Sequence, residues 1–146
     1  MDKAMPGAIE SAAGGAATRI LIVDAHEENR ALLKMLLEAN GYGVTVAGDG
    51  IAALAAARND PPGAVVSEVL MPGMDGFALC RAWMADAALK FIPFVFYSGH
   101  HVRPDEEQHA RALGAARFIA KPLQTEALLR ELRAVLAAPH PGAPAA

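Results

Sequence analysis

Five short apolar runs punctuate this chain, each followed by a segment of helical periodicity, and that alternation limits the possible folds most. The runs are Ile20-Leu21-Ile22-Val23, Val44-Thr45-Val46, Ala64-Val65-Val66, Pro93-Phe94-Val95-Phe96-Tyr97 and Arg117-Phe118-Ile119-Ala120. None alternates strictly between apolar and polar residues, so each reads as a strand buried on both faces. Between them, Leu32, Leu33, Leu36 and Leu37 share one helical face that stops at Asn40-Gly41. Asp49 is placed to cap an Ala-rich helix through about Arg58, and a third helix begins at Phe77 and runs to Met84. Pro104 opens and Gly114 closes a helix over Asp105 to Leu113, with Glu107 and Arg111 at favourable i,i+4 spacing. Leu128, Leu129, Leu132, Val135 and Leu136 give the last helix an apolar stripe. Strands separated by helices predict a doubly wound α/β domain, with a five-stranded parallel sheet covered on both sides by five helices.

At 146 residues there is room for one domain and its core. We expect that domain over 19–138, after an Ala/Gly-rich leader at 1–18 and before a Pro-rich tail or linker at 139–146. A net charge of −3 gives no basic face for nucleic acid. The single cysteine, Cys80, cannot form an internal disulfide and suits a reducing compartment. No stretch approaches the roughly 20 apolar residues of a membrane span, and Gly7, Glu10, Gly14 and Gly15 break up any signal-like segment. These features predict a soluble, cytoplasmic protein.

Four polar residues end four of the strands: Asp24, Glu68, Ser98 and Lys121. In a doubly wound sheet the carboxyl ends of the strands share one crevice, where ligands collect. Those four residues, with Met71-Pro72-Gly73-Met74-Asp75-Gly76 after Glu68 and Pro122 after Lys121, resemble the active site of bacterial response-regulator receiver domains. The resemblance covers roughly residues 19 to 138 and implies a flavodoxin-like receiver fold. It places a phospho-accepting aspartate where Glu68 stands and a second acidic residue where Ala25 stands. Ser98 and Lys121 fall on the family's hydroxyl and lysine positions, Phe118 on its switch aromatic, and Asp24, Glu68 and Leu70 on its Mg²⁺ site.

The two departures bear on the chemistry that the resemblance implies. Phosphoryl transfer to a carboxylate needs in-line attack and a cation to neutralise the transferring group. Mg²⁺ takes near-octahedral oxygens and tolerates little misplacement. Ala25 offers no carboxylate, and Glu68 carries its oxygens about 1.5 Å further out than aspartate would. A displacement near 1 Å costs about 10²-fold in a positioned reaction. We therefore expect weak or absent Mg²⁺ binding, no other cofactor, no catalysis, and Glu68 as an acceptor in position only. The longer side chain also reaches toward Ser98 and Lys121, where it would partly imitate a phosphorylated aspartate.

The expected role is a signalling module in phosphorelay that works by protein contact. Expected partners are a histidine kinase, an effector domain or another receiver, with a homodimer through the fourth helix, fifth strand and last helix as one form. The alternative is a conventional Mg²⁺-dependent receiver that accepts phosphate on Glu68 or Asp24. A third reading, a small-ligand or cyclic-nucleotide binder that reuses the crevice, has no Gly-rich phosphate loop to support it. Plainer readings stand beside these: Asp24 as a turn cap, Ser98 as a turn residue, Phe118, Cys80 and Trp83 as packing residues. Asp75 and Gly76 are expected to shape the loop and start the third helix. A metal site among His100, His101 and His109 lacks a supporting acid or cysteine.

Overall fold

The computed structural model describes residues 17–99, 103–122 and 124–138. The leader up to 16, His100, His101 and the tail from 139 lie outside them. Five strands form one parallel sheet in the order β2-β1-β3-β4-β5: β1 Arg19–Val23, β2 Gly43–Ala47, β3 Ala64–Ser67, β4 Phe94–Ser98 and β5 Arg117–Ala120. Five helices connect and follow them: α1 Glu27–Glu38, α2 Gly50–Asn59, α3 Gly76–Met84, α4 Pro104–Leu113 and α5 Thr125–Ala137. The doubly wound expectation is met.

Successive residues of one strand enter opposite cores, which explains why the strand runs lack polar alternation. Leu21 and Val23 pack with Ala53, Leu79, Trp83 and Phe96 beneath α2, α3 and α4. Ile20 and Ile22 pack with Leu37, Leu128 and Leu132 beneath α1 and α5. Cys80 and Trp83 are fully buried packing residues, and the Trp83 indole N–H donates to the Ile92 carbonyl at 3.1 Å.

Local signals set the helix ends. The carboxylates of Asp49 and Asp75 accept from the amides of Ala52 and Ala78, each at 2.8 Å, and so cap α2 and α3. Such a cap contributes about 1 kcal/mol. Gly114 closes α4 at φ 111°, a left-handed conformation that glycine adopts without a Cβ clash.

The leucine face of α1 is covered unevenly: Leu37 is buried, Leu33 and Leu36 are half-buried, and Leu32 is 61% exposed. The helix packs on β1 and β2 and leaves a gap toward α5, so its stripe is only partly covered.

Candidate functional site

Because β2 and β3 lie on opposite sides of β1, the chain reverses its order there, and a crevice opens at the carboxyl ends of β1 and β3. Asp24 leaves β1 and Glu68 leaves β3, and the Glu68 amide donates to the Val23 carbonyl at 2.9 Å. Ser98 ends β4, and the Lys121 amide, just past β5, donates to the Ser98 carbonyl at 2.8 Å. Backbone pairing thus brings together four residues that span 97 positions of sequence. The Lys121-Pro122 peptide bond is cis.

Asp24 and Glu68 are each only 5% exposed. The Lys121 ammonium lies 3.2 Å from Asp24 Oδ2 and 3.4 Å from Glu68 Oε1, between the two carboxylates. It also sits 5.3 Å from the centroid of the Tyr97 ring. Glu68 Oε2 accepts from its neighbour's amide, Val69 N, at 2.6 Å, and Oε1 accepts from Gly99 N at 3.2 Å. The Ser98 hydroxyl donates to the same carboxylate. Burial pushes the Glu68 carboxyl up, but the Ser98 hydroxyl, the two amides and the Lys121 charge outweigh it and hold its pKa below the ordinary range.

Asp24 has its own set of donors. The His26 amide donates to Oδ1 at 2.9 Å, so Asp24 is a turn cap as well as a site residue. The His26 ring nitrogen Nδ1 lies 3.3 Å from Oδ1, and Asn29 Nδ2 donates to Oδ2 at 3.5 Å. Burial opposes ionisation here too; the His26 amide and Lys121 more than offset it and lower the pKa. Arg30 donates to the Asp24 carbonyl at 2.7 Å and holds the turn from behind.

His26, Asn29, Arg30, Tyr97 and Gly99 were not singled out from the sequence. For Asn29 and Arg30 a signal existed, since residues five and six past Asp24 fall in the first turn of the next helix. For the Gly99 amide none existed, because every residue but proline carries one.

The donor set does not fit the Mg²⁺ ion that the resemblance implies. Ala25 contributes no side-chain oxygen, and Leu70 is an exposed loop residue. Both Glu68 oxygens are engaged by N–H donors, and the Lys121 ammonium already lies between the two carboxylates. Among the described residues no three His, Cys, Asp or Glu side chains group to hold a metal ion. His109 lies on the exposed face of α4, its ring edge-on to Phe77 with centroids 4.9 Å apart. Phe118 is half-buried with its centroid 5.5 Å from that of Phe96.

An acid after β1 and another after β3, facing a lysine after β5 on this sheet order, define the receiver class of signalling domains. The chain belongs to the response regulator receiver domain family, whose model matches residues 20–133. Response regulator PleD of Caulobacter vibrioides is 39% identical over 117 residues, which are 80% of this chain and 26% of that protein. Protein PilH of Pseudomonas aeruginosa is 34% identical, with 82% of this chain and 98% of PilH covered. Chemotaxis protein CheY4 of Vibrio cholerae superposes with a TM-score of 0.78 at 32% identity, over 82% of this chain and 99% of that one.

The chain spans about a quarter of PleD and half of the mycobacterial response regulator MprA. Receiver domains are signalling modules of two-component systems and interact with histidine kinases and effector domains. Among the described residues no helix is long and apolar enough to cross a membrane.

Proposed function

We propose that this receiver signals by protein contact in a fixed arrangement, with Glu68 standing in for the phosphorylated aspartate rather than accepting phosphate. One observation carries the reading. The Glu68 carboxylate is gripped by the Ser98 hydroxyl, the Gly99 amide and the Lys121 ammonium, which come from the ends of two other strands. Donors converging in this way suit an anion larger than an aspartate. The extra methylene of glutamate delivers its oxygens to them without a phosphoryl group.

Charge supports an arrangement that needs no metal. Asp24, Glu68 and Lys121 sum to −1, where a second acid at position 25 would make −2 and call for a divalent cation. The single ammonium is enough to neutralise one carboxylate while the amides of Val69 and Gly99 solvate the other. Mg²⁺ binding is accordingly weak or absent, and Ser98 and Phe118 are the residues that convey the site's state to α4 and β5. The partners that follow are a histidine kinase, an effector domain, another receiver or a second copy through α4, β5 and α5, in the cytoplasm.

The test is a comparison of amide spectra for wild type and Glu68→Gln, together with incubation in acetyl phosphate. Loss of the charge is expected to shift amides along β5 and α4, not only those of Val69 and Gly99, and acetyl phosphate is expected to add no mass. Shifts confined to those two amides would reject the phosphate-like role. A stoichiometric adduct on Glu68 or Asp24 would favour the conventional phospho-accepting receiver.

A further inference from the structure

The gap left between α1 and α5 is a cavity of about 260 Å³ that opens beside the ion cluster. Its walls are Ile22, Val66, Leu33, Leu36 and Leu128, and its mouth carries Asp24, Glu68 and Lys121 with Asn29 and Thr125. We propose that this cavity is a binding site for a compact aromatic amine, ring inward among the leucines and ammonium against Asp24. The proposal stands whether or not Glu68 imitates a phosphoryl group.

Size and lining set the body of the ligand. An apolar cavity of about 150 Å³ stays dry and takes benzene. A space nearly twice that, walled by Leu, Ile and Val, accommodates a monocyclic ring with a short chain. The Leu33 and Leu36 side chains are half-buried because this space stands against them, so a ring would complete the burial of the α1 stripe.

Charge sets the head. Asp24 and Glu68 place two carboxylates at the mouth beside the Lys121 ammonium, so the polar end of the cavity is rich in anionic acceptors. Around Asp24, Arg30 is engaged with the backbone carbonyl and the His26 ring approaches only Oδ1, so Oδ2 is the oxygen that faces a ligand head. Asp24 Oδ2 receives Lys121 at 3.2 Å and Asn29 at 3.5 Å, both long for charge-assisted bonds. A carboxylate oxygen accepts more than one donor, so a ligand ammonium can join or displace these. An anionic head would meet two buried carboxylates and is disfavoured.

Three probes of one shape separate the contributions: 2-phenylethylamine, 2-phenylethanol and 3-phenylpropionate, titrated into the full chain while amide and methyl spectra are recorded. We expect saturable binding at millimolar concentration, with contacts from ring protons to the methyls of Leu36, Leu128 and Ile22. The amine should bind about tenfold tighter than the alcohol, as hydrogen bonds to a charged group allow, and the carboxylate weakest. Leu36→Trp should fill the cavity and abolish binding; Leu128→Phe is the second filling variant if the first fails to fold. Asp24→Asn should erase the preference for the amine. Absence of saturable binding, equal affinity for all three probes, or binding that survives a folded filling variant would each overturn the assignment.

Discussion

The Lys121 ammonium lies 3.4 Å from Glu68 Oε1 and 3.2 Å from Asp24 Oδ2, so one cation serves two buried acids. The lysine reaches them from the far side of the sheet centre, past Ser98, with its Nζ against the Tyr97 ring. It is a counter-ion shared by both acids, and its removal exposes what burying the two carboxylates costs.

Lys121→Met keeps the apolar stem and deletes the charge. Breaking a buried ion pair from one side costs about 3–5 kcal/mol because the remaining charge is uncompensated. The ammonium side chain is 21% exposed, so water can reach its place and the lower figure, about 3 kcal/mol, applies. Urea unfolding of wild type and variant measures it. Adding Glu68→Gln to Lys121→Met should recover part of the loss, since one fewer charge is then stranded.

Acid should weaken the folded state through the same pair. Both carboxyls have folded pKa values below their ordinary ones. In that range the unfolded chain binds more protons than the folded one, so protons favour unfolding as the pH drops. The contribution is fully present above the ordinary carboxylate range near pH 4 and is lost as the pH falls through the folded values. Unfolding free energies between neutral pH and about pH 3 should show a steeper decline for wild type than for Asp24→Asn with Glu68→Gln.

Restoring both departures should restore the metal site. Ala25→Asp with Glu68→Asp recreates two carboxylates on the missing positions and draws back the oxygens that now face Val69 and Gly99. Titration calorimetry should then detect Mg²⁺ saturation at millimolar concentration, where wild type gives none. A wild-type chain that saturates equally well would show that the remaining oxygens suffice.

Much of this architecture was legible in the sequence because period and punctuation agree. The β5 run is read at its observed bounds, Pro104 and Gly114 mark α4, and Asp49 caps where its position suggests. The exposure of Leu32 was not legible, because a leucine at the right period does not say whether a neighbouring helix closes over it. The four strand-end residues of the site were legible as a set, since parallel strands place their ends together. The amide donors from Val69 and Gly99 were not, for they depend on where the longer Glu68 side chain turns rather than on residue type.

Cys80 should be inert in the native protein. Its side chain is fully buried under α3, and burial pushes the thiol pKa up to about 12. The thiolate is the reactive form, and it is scarce at neutral pH with no route for a reagent. Labelling by iodoacetamide should track the unfolded fraction along a urea titration, and fast labelling in buffer alone would contradict the packing.

Gly76 holds the loop that carries Glu68, and a methyl group there should disturb the site from below. The Gly76 amide donates to the Val69 carbonyl at 2.7 Å, which folds the segment after β3 back onto the start of α3. A Cβ on Gly76 would collide with the Glu68 carbonyl oxygen, and it would come within 2.9 Å of Val69 Cα and 3.0 Å of the Phe96 ring. Two of these three are backbone atoms that cannot swing aside, so Gly76→Ala must push the Glu68 segment and α3 apart. Overpacking of this kind costs about 1–3 kcal/mol, and with contacts this close the upper part of that range applies, above the gain of about 1 kcal/mol that alanine brings to a helix interior. Urea unfolding measures that loss, and the Gly99 and Lys121 amide resonances should move with it as the carboxylate shifts off its donors. A variant as stable as wild type, with those resonances unmoved, would mean that the loop has slack the packing does not suggest.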